Sequence, residues 1–178
     1  MKKELSVLFL GLALLSAGRA WGTVLPDACG DDKVKFDVSA EKSKTPPASP
    51  EGGKAQIVFI ENENRMIGPF MYATIRYGLD GAWAGANKNN SYFTVLVDPG
   101  VHHLCASWQS ALPSLKKSID TASFTAEPGK TYYFAANVRV IPVGENSATF
   151  DFDLQPLDED AGKYRVKAWK LANWVTNQ

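Results

Sequence analysis

Apolar and polar residues alternate along most of this chain with the period of two that belongs to β-strands. Thr131 to Ile141 is the clearest case, with Tyr132, Phe134, Ala136, Val138 and Val140 on one face. After a turn at Pro142-Val143-Gly144-Glu145-Asn146, Ser147 to Gln155 returns. It places Ala148, Phe150, Phe152 and Leu154 inward and Thr149, Asp151 and Asp153 outward. Ala55 to Glu61 is apolar on both faces through Ile57-Val58-Phe59-Ile60, the pattern of a central strand. In Met71 to Leu79, Met71, Ala73, Ile75, Tyr77 and Leu79 oppose Thr74 and Arg76. Asp80-Gly81 then reads as a hairpin turn, whose central residues take positive φ, and Ala82 to Gly85 is a short strand. Tyr92 to Val97 is closed by the turn Asp98-Pro99-Gly100. Val101 to Trp108 sets Leu104, Ala106 and Trp108 against His103, Cys105 and Ser107, and Ile119 to Ala126 follows.

The period changes near the C-terminus. Leu157, Ala161, Tyr164, Ala168, Leu171 and Val175 step by three and four, which is one helical stripe. Asp158, Glu159 and Asp160 near its start and Lys167 and Lys170 near its end suit the helix dipole. Lys163 to Ala168 also alternates, so a strand competes there. The pattern predicts a mainly β chain: an antiparallel β-sandwich of prealbumin or immunoglobulin type, about seven to eight strands, with one C-terminal helix.

Upstream, Val34-Lys35-Phe36-Asp37-Val38 reads as one short strand within an N-terminal arm, residues 21–43. Residues 44–53, with three prolines and two glycines, form a linker. The sandwich and its helix occupy residues 54–178. Residues 1–20 have the layout of a secretory signal peptide: basic Lys2-Lys3, an apolar run from Leu5 to Leu15, and small residues up to Ala20. Cleavage after Ala20 or after Gly22 fits. The run is too short to span a bilayer, which takes about 20 apolar residues. Cys29 lies too far downstream to be a lipid-attachment site. A soluble periplasmic or secreted product, with no transmembrane segment after cleavage, is the expectation.

Export bears on Cys29 and Cys105, the two cysteines of the chain. In an oxidising compartment such a pair usually forms a disulfide; two free thiols or a bond between chains are the alternatives. If Leu104, Ala106 and Trp108 face the core, Cys105 faces the outside of its sheet. The disulfide then holds the arm across that face or along an edge, where Val34 to Val38 can add a strand. Lys+Arg and Asp+Glu balance at 19 each. Losing Lys2, Lys3 and Arg19 against Glu4 leaves the mature chain slightly acidic, with no electrostatic reason to bind nucleic acid.

Candidate chemistry is sparse. His102 and His103 are adjacent on a strand and point to opposite faces, so they do not chelate one ion easily. Asp151, Asp153, Asp158 and Asp160 lack the EF-hand pattern, and Arg139 can pair with Asp151 or Asp153 across the hairpin. No metal or cofactor is expected. There is no GxSxG elbow and no phosphate-binding glycine loop, and Ser107 stands about 7 Å from His103 along the strand. No catalytic residue is assigned. Trp83 beside the Asp80-Gly81 turn, Tyr92 and His102 are the candidates for a ligand-binding face, and Trp83 is the aromatic best placed for exposure.

Four segments carry a resemblance: Leu79-Asp80-Gly81-Ala82-Trp83, Asn90-Ser91-Tyr92-Phe93, Pro99-Gly100-Val101-His102-His103-Leu104-Cys105 and Pro128-Gly129-Lys130-Thr131-Tyr132-Tyr133-Phe134. Together, over about Lys54 to Leu171, they resemble an uncharacterised family of bacterial exported domains, a domain of unknown function often found in lipoproteins. The resemblance implies a β-rich envelope domain and carries over no catalytic residue. The function expected is a non-catalytic module of the envelope or secretome that binds a protein or glycan. The alternatives are a purely structural envelope protein and, third, a hydrolase.

Overall fold

The structure is a computed structural model that describes residues 27–42, 47–62, 74–88, 90–109, 118–145 and 147–177. The expected signal peptide lies outside them, as do the first residues of the linker and of the strand begun at Met71. Among the described residues the chain runs β1 (Lys35–Glu41), β2 (Ala55–Asn62), β3 (Thr74–Leu79), β4 (Ala82–Asn87), β5 (Ser91–Val97) and β6 (Gly100–Gln109). It continues β7 (Ile119–Ala126), β8 (Thr131–Gly144), β9 (Ser147–Leu157), α1 (Glu159–Ala168) and β10 (Lys170–Asn177). The fold is mainly β and sandwich-like. A six-stranded sheet, β1-β10-β5-β2-β8-β9, faces a four-stranded sheet, β4-β3-β6-β7. Most pairings are antiparallel, but β2 runs parallel to β8 and β10 parallel to β5, which corrects a purely antiparallel expectation. The ten strands among the described residues also exceed the seven to eight expected.

The core follows from the alternation. Ala55, Ile57 and Phe59 of β2, Ile75 and Tyr77 of β3, Leu104, Ala106 and Trp108 of β6, and Phe134 and Ala136 of β8 all meet between the sheets. Phe59 packs its ring against Tyr77 and Phe93, with centroids 4.7 and 5.1 Å away. The other face of β2 is apolar too, because β2 is interior: Val58 and Ile60 join Tyr92, Tyr133 and Ala135 in a second cluster. Helix α1 covers that cluster, with Val166 and Trp169 packed on it.

The helical stripe breaks where the sequence did not predict. Asp158 caps α1, its carboxylate accepting from the Ala161 N–H at 2.8 Å. The helix ends at Ala168, with Trp169 as an extended C-cap. Leu171 and Val175 belong to β10, which pairs with β1 from Lys35↔Asn177 to Glu41↔Leu171. Tyr164, on the predicted apolar stripe, is 73% exposed. The competing strand reading of Lys163 to Ala168 fails as well, since those residues complete α1.

Candidate functional site

The outer face of the four-stranded sheet is closed by the N-terminal arm. Cys29 and Cys105 form the expected disulfide, with Cα atoms 5.2 Å apart. Cys105 and Ser107 point outward from β6, and Arg76 and Gly78 do so from β3, so the arm lies on these four. It lies close: a Cβ on Gly78 would stand 2.5 Å from the Ala28 carbonyl oxygen and 2.9 Å from Cys29 Cα. The Arg76 side chain, 3% exposed, donates to the carbonyls of Asp32 and Val34 at 3.2 and 3.0 Å. Its second terminal nitrogen donates to the Asp32 carboxylate and the Ser107 hydroxyl, both at 3.1 Å. Its guanidinium stacks over Trp83 at 4.4 Å. The arm then leaves this sheet. Its strand β1 joins the edge of the other sheet beside β10, rather than the sheet that carries Cys105. Gln109 ties the two sheets here, since its side chain accepts from the Phe36 N–H and donates to the Phe36 carbonyl, both at 2.8 Å.

These contacts decide the aromatic candidates. Trp83 is half-buried: Arg76 and Gly30 cover its ring, and its indole N–H donates to the Asp31 carbonyl at 2.7 Å. Tyr92 is 1% exposed and packs on the opposite side of the molecule, in the cluster beneath α1. The two do not form the exposed aromatic strip that the sequence suggested.

His102 is held on both ring nitrogens. Nδ1 lies 2.6 Å from an Asp80 carboxylate oxygen and Nε2 lies 2.8 Å from the Asp98 carbonyl. Asp80 can serve this way because it sits in the tight turn at φ 50, with Gly81 at φ 90, the positive values that the sequence predicted. Its other oxygen accepts from the His103 N–H at 2.8 Å. Burial pushes the His102 pKa down, but the Asp98 carbonyl and the Asp80 carboxylate outweigh it and hold the ring above the usual histidine value. Burial pushes Asp80 up, and the His103 N–H and the His102 ring bring it below the usual carboxylate value. Both groups are turn-stabilising contacts. A shallow concavity of about 670 Å³ beside them is bordered by Asp27, Asp80, His103 and Ser123. Among the described residues no group of three or more His, Cys, Asp and Glu could hold a metal ion. The β8–β9 register sets Arg139 opposite Asp151, as the pairing across that hairpin requires.

A larger cleft, of about 830 Å³, opens on the outer face of the six-stranded sheet. Val58, Tyr92 and Tyr133 form its floor, from β2, β5 and β8. One wall is the linker from Pro47 to Pro50, tied down by the Gln56 side-chain amide, which donates to the Ala48 carbonyl at 3.1 Å. The other wall is α1, which sits directly on the floor: a Cβ on Gly162 would stand 2.2 Å from the Tyr133 ring. Lys130, Lys163 and Lys167 line the cleft, and all three are exposed. Glu159 pairs with Lys163 at 2.5 Å, one helical turn away. Burial pushes the Tyr133 phenol pKa up; Lys163 lowers it and Glu159 raises it, with the net result above its usual value. Two signals pointed here unread: Tyr133 and Ala135 are apolar on the outward face of β8, which means a cover, and Lys163 and Lys167 share one helix face at i,i+4.

Comparison with protein-family models, with curated proteins and with solved structures found no match.

Proposed function

We propose that this chain is an exported, non-catalytic binding module of a cell envelope or secretome, and that the cleft beneath α1 is its ligand site. The observation that carries this reading is the cleft itself: a concavity in the size range of ligand sites, with an apolar floor and exposed cationic side chains around it. Export is supported by the Cys29–Cys105 bond, which belongs to an oxidising compartment. No helix among the described residues is long and apolar enough to cross a membrane. Binding is favoured over hydrolysis because the histidine nearest a carboxylate, His102, has both ring nitrogens engaged in structural contacts. A glycan is a weaker candidate than it was from sequence, since Trp83 and Tyr92 offer no open ring face for stacking. The bacterial envelope family suggested by the Pro128-to-Phe134 segment and its companions agrees with this role.

The test is crosslinking in the native envelope from a photoreactive residue at Ser49, on the exposed linker wall. A discrete adduct that disappears in Lys130→Glu/Lys167→Glu is the expected outcome. No adduct, or one indifferent to those lysines, would sink the reading.

A further inference from the structure

Resting on that reading, we infer that the cleft takes a small amphipathic anion: a single acidic head on a short acyl or aromatic body. The charge balance comes first. Among the described lining residues Glu159 is the one acid, and it is already paired with Lys163. Lys130, from the turn between β7 and β8, and Lys167, from the last turn of α1, are then the cations left to meet a ligand. The Tyr133 hydroxyl, neutral at neutral pH, adds a donor on the floor. The rest of the lining is mixed: Pro47, Pro50 and Val166 are apolar and half-buried, Ser49, Gln56 and Thr131 are polar, and Val58 and Tyr92 lie almost fully buried beneath them. Lysine stems extend this surface while their ammonium groups stay in water.

Other occupants fit less well. An extended peptide would need a free strand edge to pair with. The floor strands β5, β2 and β8 are interior, and Tyr92, Val58 and Tyr133 each have a ladder partner on both sides. A bilayer would need apolar groups that protrude past the charges. Here Val58 and Tyr92 are buried beneath them. A free anion can meet the lysine ammonium groups while its apolar body lies against Pro47, Pro50, Val166 and the Tyr133 ring.

An amide NMR titration of the mature chain with sodium octanoate tests this. Octanoate should shift the amides of Val58, Thr131, Tyr133 and α1 saturably. Affinity should fall at least about tenfold for 1-octanol, for inorganic phosphate, and for octanoate with the Lys130→Gln/Lys167→Gln variant. Both lysines are exposed, and the unliganded spectrum of the variant checks that it folds. Equal affinity for octanol, shifts away from the cleft, or binding to anionic vesicles alone would overturn the inference. If octanoate fails while the Ser49 adduct and its lysine dependence persist, the anion assignment falls and the binding-module reading stands. Loss of both ends both.

Discussion

The two sheets of this sandwich each bury an outer face, and they do it by different means. The four-stranded sheet is covered by a segment far away in sequence, fixed by a disulfide over a separation of 76 residues and by three hydrogen bonds from Arg76 to Asp32 and Val34. The six-stranded sheet is covered by α1, which follows directly from β9 and seats on Tyr133 through Gly162. The first cover is welded to backbone and leaves its aromatic, Trp83, committed. The second is a short helix seated through Gly162 on Tyr133 and through Val166 on the cluster around it, and between it and the linker a cleft stays open. A face sealed by directional and covalent bonds is thereby separated from a face free to receive a ligand.

Breaking the disulfide should have the largest effect. Cys29→Ser/Cys105→Ser is expected to cost roughly 4–5 kcal/mol in urea denaturation, from the restored freedom of the unfolded chain. Hydrogen exchange should accelerate more in β1 and β3, which the arm's release opens locally, than in β8. Uniform acceleration across both sheets would erase the distinction between the covers. The two close-approach glycines sharpen it. In Gly78→Ala the new methyl meets the backbone of Ala28 and Cys29, which is pinned, so a loss of about 2–3 kcal/mol is expected. In Gly162→Ala the methyl meets Cγ, Cδ1 and Cδ2 at the root of the buried Tyr133 ring, so the helix must lift slightly from the floor. Alanine favours the helix by about 1 kcal/mol, which offsets part of that cost, so the net loss should be about 1–2 kcal/mol. Equal losses in thermal unfolding would show that the helix is as rigidly seated as the arm.

The smallest effect concerns pH. His102 has its folded pKa raised, so its contribution is complete below about pH 6.5 and is lost as pH rises through the folded value. Asp80 has its folded pKa lowered, so its contribution is present above about pH 4 and is lost as pH falls through the folded value. Stability from the pair should therefore decline by about 0.2–1 kcal/mol between pH 6 and pH 8, the scale of partly exposed ion pairs. In Asp80→Asn that decline should flatten. An unchanged slope would remove the pair from the account.

Local patterns made much of this fold legible. The alternation in Thr131 to Ile141, the two-sided apolar run of β2 and the positive-φ turn at Asp80-Gly81 are contained within a few residues each, and all three appear where they were read. The outward position of Cys105 followed from Leu104, Ala106 and Trp108 and placed the arm on the correct face. What was lost is non-local. Leu171 and Val175 continue the spacing of α1 by coincidence, and what makes them a strand is β1, at the other end of the chain. The parallel partners of β2 and β5 leave no signature in either strand alone. The cleft was invisible for the same reason: a proline linker, a β-turn and a helix converge on it from separate regions of the sequence.

The pairing of the first described strand with the last has a consequence in time. A chain emerging from its N-terminus presents Lys35–Glu41 early and Lys170–Asn177 last. Until then β1 has no ladder partner, and an unpaired strand edge invites association with other chains. Cys105 emerges well before β10, so the disulfide can tether the arm across β3 and β6 while β1 waits. Once the chain is in an oxidising compartment, the covalent bond can act as an assembly clamp that keeps a vulnerable strand on its own molecule until the partner that closes the sheet arrives.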